Sequence, residues 1–394
     1  MSIAHGVGPT LDDLRPIMPS TSSTFPVYAD LVDKLVAPEP GRDPVVAHAL
    51  AVASGYAYSD GTTIATMMAR MGLPESQWLG IEMTVDAMFI RSTAYLIQSA
   101  DGRVVILAYR GTEPTNLVSW LTDADVYPDK ITIDFDNPDD PTEEARQYDV
   151  HAGFYRNVRA TRFEIAKALN RALRGESIRP GPPPQSRFES DDHSDEAPTS
   201  ASDSAGPMPN RMETLYITGH SLGGAMASML TVMVRTLEPY SEIASKLKGT
   251  YTFGAPMIGE PALARASERR PDLGPMVYRY VYDRDPVPQL PPTVSGEFAH
   301  FGSERRYRIG DGWADVPNST QASNPLRVIE SFLAFAARQF SVLRWIPFQV
   351  SINDHLPHNY ITAITPPGVP NEFGDAMFAD ESVSRGPWGL PFLG

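Results

Sequence analysis

The chain has 394 residues, 42% hydrophobic and 21% charged, long enough and apolar enough to bury a core. Its 48 acidic against 33 basic residues leave a net charge of −15 with no basic run. That balance argues against a nucleic-acid partner and against electrostatic docking on anionic lipid. Cysteine is absent, which excludes disulfides, thiolate metal sites and a cysteine nucleophile.

The opening MSIAHGVGPTLDDLRP has neither the basic nor the apolar region of a signal peptide. No run of about 18 uncharged apolar residues reads as a transmembrane helix. The expectation is a soluble, cytoplasmic protein, with a leaderless route of export left open. Residues 1–29, rich in proline, serine and threonine, read as a flexible arm, and residues 30–364 as one domain.

From Asp30 to Tyr58 the apolar spacing is helical, and TTIATMMARMG follows as a second helical piece whose methionines suit core gaps. STAYLIQSADGRVVILAYRG contains two apolar runs joined at Ala-Asp-Gly, a hairpin pattern. Residues 155–173 form an amphipathic helix. Residues 177–210 are made of proline, serine, aspartate and glycine with almost no large apolar side chains, and are expected to be a disordered insertion within the domain.

Beyond it come ETLYIT, SLGGAMASMLTVMVRTL, GTYTFG, PALARASER and MVYRYVYD, strands alternating with helices. The alternation predicts an α/β protein with a mostly parallel sheet flanked by helices. Residues 326–350 are strongly apolar and read as a core or flap helix broken at Pro347, or as an element that touches lipid. Residues 365–394 form a C-terminal tail.

Gly219-His220-Ser221-Leu222-Gly223 fits a G-x-S-x-G elbow, with a strand before it and a helix after it. A nucleophile held at so sharp a turn leaves no room for side chains two residues either way. The following helix aims its first amides and positive dipole end at the place where an oxyanion would form. Ser221 is therefore the candidate nucleophile.

Its base should be a histidine, the side chain poised near neutral pH. Of eight, His5 and His193 fall in segments expected to be loose, His220 lies inside the elbow pointing away, and His48 lies in an upstream helix. In this type of fold the acid and then the histidine follow the serine, which removes His151 and favours His355 and His358 over His300. Asp283 and Asp285, at the end of the strand MVYRYVYD, are the candidate acids.

These motifs together resemble the class 3 lipases of the alpha/beta-hydrolase fold, over roughly residues 40–364. GHSLGGAMA is similar to the family's elbow, and YTFGAPMIG to the strand and turn after it. RDPVPQLPP resembles the segment bearing the catalytic aspartate, which implies Asp285 rather than Asp283. DHLPHNYI resembles the histidine segment, which implies His355 rather than His358 and puts Tyr360 in a matching place. AYRGTEPTNLVSWLTD is similar to the segment with the first oxyanion residue, here Thr112, with the backbone N–H of Leu222 as the second donor. The adjacent residues 113–122 correspond to the family's lid. VHAGFYRNV and FAHFG match segments in which the histidine is not catalytic, which implies structural roles for His151 and His300. The insertion 177–210 and the lack of cysteines depart from the better-known secreted members.

The resemblance implies a serine hydrolase acting on carboxylic esters of lipid-like substrates, acylglycerols first, through Ser221, Asp285 and His355. A phospholipase or polar-ester esterase on the same site is the alternative, and a catalytically dead hydrolase-fold binding module the reading from another class. No metal or organic cofactor is implied. The expected partners are a small ester or lipid substrate and a transient lipid interface.

Overall fold

The computed structural model describes residues 1–14, 26–37, 43–85, 90–111, 128–133, 146–181, 206–291, 297–316 and 352–369. Three features expected from the sequence fall outside these residues: the lid segment 113–122, the apolar stretch 326–350, and the oxyanion candidate Thr112.

The N-terminal strand β1 (Ser2–Val7) is followed by helices α1 (Leu31–Val36), α2 (Pro44–Tyr56) and α3 (Gly61–Met71). Strands β2 (Gln77–Val85), β3 (Ile90–Gln98) and β4 (Val104–Tyr109) come next. A small separate pair, β5 (Pro128–Ile133) and β6 (Arg146–His151), leads into helix α4 (Ala152–Leu173). Then come β7 (Thr214–His220), α5 (Leu222–Thr236), the short α6 (Ser241–Ala244), β8 (Leu247–Phe253), α7 (Pro261–Arg269) and β9 (Val277–Tyr282). The hairpin of β10 (Ser303–Arg308) and β11 (Gly312–Val316), and helix α8 (Pro357–Ile364), complete the described elements.

Nine strands form one sheet in the order β1-β2-β3-β4-β7-β8-β9-β10-β11. The run from β4 through β7, β8 and β9 to β10 is parallel, while β1 to β4 on one flank and β11 on the other are antiparallel. The expected α/β class is thus realised as a mixed sheet with a parallel centre. β4 and β7 are buried at every position, as strands covered by helices on both faces must be.

Side-chain alternation divides the core. Val105, Leu107, Tyr109, Leu215 and Ile217 point into the layer filled by α4 and α5. Their neighbours Val104, Ile106, Ala108 and Tyr216 point to the opposite layer, filled by α1, α2, α3 and α8. Helices α2 and α3 are capped at their starts: Asp43 accepts from Val45 N–H at 2.8 Å with Pro44 following, and Asp60 accepts from Thr63 N–H at 2.8 Å. Each such cap contributes about 1 kcal/mol.

The N-terminal segment departs from the flexible arm expected for residues 1–29. Ser2–Val7 pairs antiparallel with β2, Ser2 opposite Glu82 and Val7 opposite Gln77. A Cβ on Gly6 would lie 2.7 Å from the Trp78 ring, so only glycine lets this strand settle on the indole. Farther along, the N–H groups of Val27 and Tyr28 donate to Arg70 and Met71 carbonyls. Composition described these residues as loose because a strand held by ladder hydrogen bonds to a distant edge carries little local signal.

The boundaries of the expected insertion are also occupied by structure. Ile178 is buried and its N–H donates to Gln98 Oε1 at 2.9 Å, and Met208 N–H donates to Gly175 C=O at 2.8 Å. Residues 182–205 lie outside the described residues, as do residues 370–394 of the tail. Among the described residues no helix is long and apolar enough to cross a membrane, and no cluster of metal-ligating side chains occurs.

Candidate active site

Parallel register gathers the candidate residues at one edge of the sheet. Tyr109 is paired with Gly219, His220 with Phe253, and Phe253 with Tyr280. Whatever follows β4, β7, β8 and β9 therefore emerges side by side: Gly111, Ser221, Gly254 and Asp285. The crevice outside the carboxyl ends of parallel strands is where such folds place their chemistry.

Ser221 joins β7 to α5 with φ 59° and ψ −131°. A non-glycine residue in this region costs on the order of 1–3 kcal/mol, and the surroundings must hold it there. They do: Ser221 N–H donates to Phe253 C=O at 2.8 Å, and Ser221 C=O accepts from the N–H groups of Gly224 and Ala225 at 2.9 and 3.2 Å. The glycines of the motif are required by contact. A Cβ on Gly219 would sit 2.3 Å from the Gly223 carbonyl carbon, and one on Gly223 would sit 2.3 Å from Tyr109 O. Leu222 opens α5, so its N–H belongs to the first turn, where amides have no partner within the helix.

Asp285 and His355 meet across 70 residues. His355 Nδ1 donates to Asp285 Oδ2 at 2.8 Å, with both side chains buried. The other carboxylate oxygen, Oδ1, accepts from Val287 N–H at 2.8 Å. Tyr360 O–H donates to Oδ2 as well, and itself accepts from Tyr282 N–H at 3.1 Å. Burial, followed by the charge of Asp285, holds the Tyr360 phenol well above its ordinary pKa, so it stays a donor.

Because Asp285 accepts from Nδ1–H, Nε2 is the ring nitrogen left without a hydrogen in the Nδ1–H tautomer. That nitrogen and Ser221 Oγ are both buried and lack a hydrogen-bond partner among the described residues. No direct bond joins them.

Gly254, one residue beyond β8, has φ 62°, and a Cβ there would lie 2.6 Å from Asp285 Oδ2 and 2.9 Å from His355 Nδ1. The motif YTFGAP contained this residue, but its role as the floor under the pair depends on a positive φ that spacing does not reveal. The rejected candidates are elsewhere. Asp283 lies near Arg284 and Arg308, at 3.8 and 3.9 Å. His358 is three residues beyond His355, in α8, half-buried. His151 is buried at the start of α4, stacked on Phe154 with ring centroids 4.1 Å apart, and His300 Nε2 donates to Pro288 C=O at 2.6 Å.

Residues 208–295 match the family model for lipase (class 3). Over that segment the chain is similar to the class 3 lipases. The matched class 3 segment contains Ser221 and Asp285 and ends before His355. A triacylglycerol lipase of Ricinus communis is 26% identical over 235 residues, covering 57% of this chain and 42% of that protein. A triacylglycerol lipase of Nicotiana tabacum is 40% identical over 88 residues, 22% of this chain and 15% of the relative. A lipase of Rhizopus oryzae is 36% identical over 96 residues, 24% and 23% of the two chains. This chain thus spans less than half the length of each of these relatives. Among solved structures, lipase II from Rhizopus niveus superposes with a TM-score of 0.48 at 20% identity, covering 78% of this chain and 91% of that one.

Proposed function

We propose that the chain is a serine hydrolase that cleaves carboxylic esters of lipid-like substrates, with acylglycerols first among them. The observation that carries this reading is the buried His355–Asp285 hydrogen bond at the sheet edge where Ser221 is held at positive φ. The named activities of the plant triacylglycerol lipases favour a glyceride as the ester. The apolar side chains Leu117, Val118 and Trp120 in the lid segment, and the apolar run 326–350, favour contact with a lipid interface.

In the proposed reaction Ser221 Oγ attacks the ester carbonyl carbon while His355 Nε2 takes the hydroxyl proton. Asp285 holds the ring in the Nδ1–H tautomer and stabilises the imidazolium. The tetrahedral oxyanion is held by the N–H of Leu222, at the positive end of α5, and by the N–H of Thr112. Collapse returns the proton from His355 to the departing alcohol and leaves an acyl-Ser221 ester. Water, deprotonated by His355, then attacks the acyl carbon; the bond to Ser221 Oγ breaks, His355 returns the proton to Oγ, and the carboxylic acid leaves. Loss of one oxyanion donor in such a site costs on the order of 2.7–4 kcal/mol of transition-state stabilisation.

The test is labelling by a fluorophosphonate together with a panel of acylglycerols, phospholipids and short aryl esters, with Ser221→Ala as the blank. Labelling and glyceride turnover that both vanish in the alanine variant are expected. Equal turnover by that variant removes the mechanism. Preference for phospholipids or short esters would keep the mechanism and replace the substrate, and a wild-type chain that neither labels nor turns over any ester would be a binding module.

A further inference from the structure

His220 sits inside the elbow, next to the candidate nucleophile, and the proposed reaction assigns it nothing. It is buried, and both its ring nitrogens are engaged with groups far away in the chain. Nε2 lies 2.6 Å from the backbone carbonyl oxygen of His355, and Nδ1 lies 2.9 Å from the Tyr58 hydroxyl. The carbonyl has no proton to give, so Nε2 must carry the ring's hydrogen and donate. In the neutral ring Nδ1 is then bare and accepts from Tyr58 O–H. One tautomer satisfies both bonds.

The bond falls at the junction between a short turn and the last helix. His355 ends a short 3-10 turn (Ile352–His355), and Leu356 and Pro357 open α8. Pro357, with no N–H of its own, starts the helix two residues beyond His355. Tyr58 reaches the ring across Gly111, where a Cβ would lie 2.1 Å from the Tyr58 hydroxyl and 2.6 Å from His220 O. The contact therefore ties together the α2–α3 turn, the end of β4, the elbow and the turn bearing His355.

We infer that His220 is a positioning residue: its Nε2–H fixes the backbone of His355, and Tyr58 holds His220 in the orientation that does so. This inference rests on the serine-hydrolase reading above. The imidazole rings of His220 and His355 are 4.5 Å apart, so a charged His220 would oppose the imidazolium that forms on His355. Burial, and then the neighbouring His355, push the His220 pKa well below the ordinary histidine value, which keeps the ring neutral while His355 charges.

The test measures kcat and KM on a soluble aryl ester for wild type, His220→Phe, His220→Gln and Tyr58→Phe, with fluorophosphonate labelling rate as a second readout. Phenylalanine keeps the ring and removes the donor, whereas glutamine can return an N–H near the Nε2 position. His220→Phe is expected to lower kcat about tenfold with KM within about twofold, the scale of one lost hydrogen bond. His220→Gln should recover most of that loss. Tyr58→Phe should cost a few-fold alone and nothing further when combined with His220→Phe, because its effect passes through the ring. Wild-type kcat in His220→Phe, failure of glutamine to rescue, or additive losses in the double variant would overturn the inference. Should His220→Phe not fold, His220→Gln and Tyr58→Phe decide: near-wild-type kcat in the first with a few-fold loss in the second upholds it, and no loss in Tyr58→Phe overturns it. An inactive wild type would instead remove the hydrolase reading, so the two failures are distinct.

Discussion

Tyr360 and His355 donate to the same oxygen of Asp285, Oδ2, from positions five residues apart on either side of the start of α8. With Val287 N–H on the other oxygen, the buried carboxylate is held by three donors and has no freedom to turn away from the imidazole. Removing the phenol leaves Oδ2 one donor short and Tyr282 N–H without this acceptor. Tyr360→Phe is expected to lower kcat about tenfold and to destabilise the fold by about 1.5–3 kcal/mol, the range for hydrogen bonds to charged groups. Steady-state kinetics on an aryl ester and denaturant unfolding check the two halves.

The two ambiguous pairs separate by partner. Asp285→Asn is expected to lower kcat by on the order of 10⁴, because an amide at that position stabilises the wrong imidazole tautomer. Asp283→Asn should change it by less than about twofold, since Asp283 faces arginines instead of the imidazole. His355→Ala should abolish turnover and His358→Ala should retain it. Four kcat values on one substrate suffice, and turnover that survives in His355→Ala but not in His358→Ala would reverse the assignment.

Gly254→Ala tests the floor of the pair. The new Cβ would meet Asp285 Oδ2 at 2.6 Å in a backbone of φ 62°, which L side chains rarely adopt. Overpacking and backbone strain each cost about 1–3 kcal/mol, so a lower melting temperature and a loss of kcat larger than that of KM are expected. Unchanged kcat would show that the Asp285–His355 geometry tolerates a shifted turn.

Acid sensitivity should come from histidines outside the site. Burial pushes both His48 and His151 down to about 4, from an ordinary value of 6.5. The unfolded chain therefore binds more protons than the folded one between about pH 6.5 and 4, and stability rises with pH across that window. The contribution is fully present above 6.5 and is lost as pH falls toward 4, on the order of 3 kcal/mol for each ring. His48 also joins two elements, Nδ1 facing Tyr28 O–H at 2.8 Å and Nε2 facing Thr365 Oγ1 at 3.2 Å. His48→Gln should flatten the melting temperature between pH 4 and 6.5, measured by calorimetry. An unaltered slope would place the acid sensitivity elsewhere.

Much of this site was readable as local pattern. A strand, a glycine-flanked serine and a helix specify Ser221 because the turn's steric demands fall on Gly219 and Gly223, within two residues of it. The alternation of strands with helices is equally local, since side-chain periodicity acts over one or two turns. Other features were not legible, and for a common reason. Ser2–Val7 read as loose because its hydrogen bonds go to β2, some eighty residues on. His220 was set aside as pointing away from the serine, whereas its ring bonds groups 135 and 162 residues distant. The strand end and the chain order offered two aspartates and two histidines, the family resemblance pointed to Asp285 and His355, and the fold sets that pair 2.8 Å apart. Sequence alone determined which short segments could hold a nucleophile, an acid and a base, because backbone geometry and side-chain chemistry are properties of a few neighbouring residues. Tertiary structure decided which of them meet, because hydrogen bonds and burial depend on distance in space, and parallel pairing brings strand ends together that the chain itself keeps far apart.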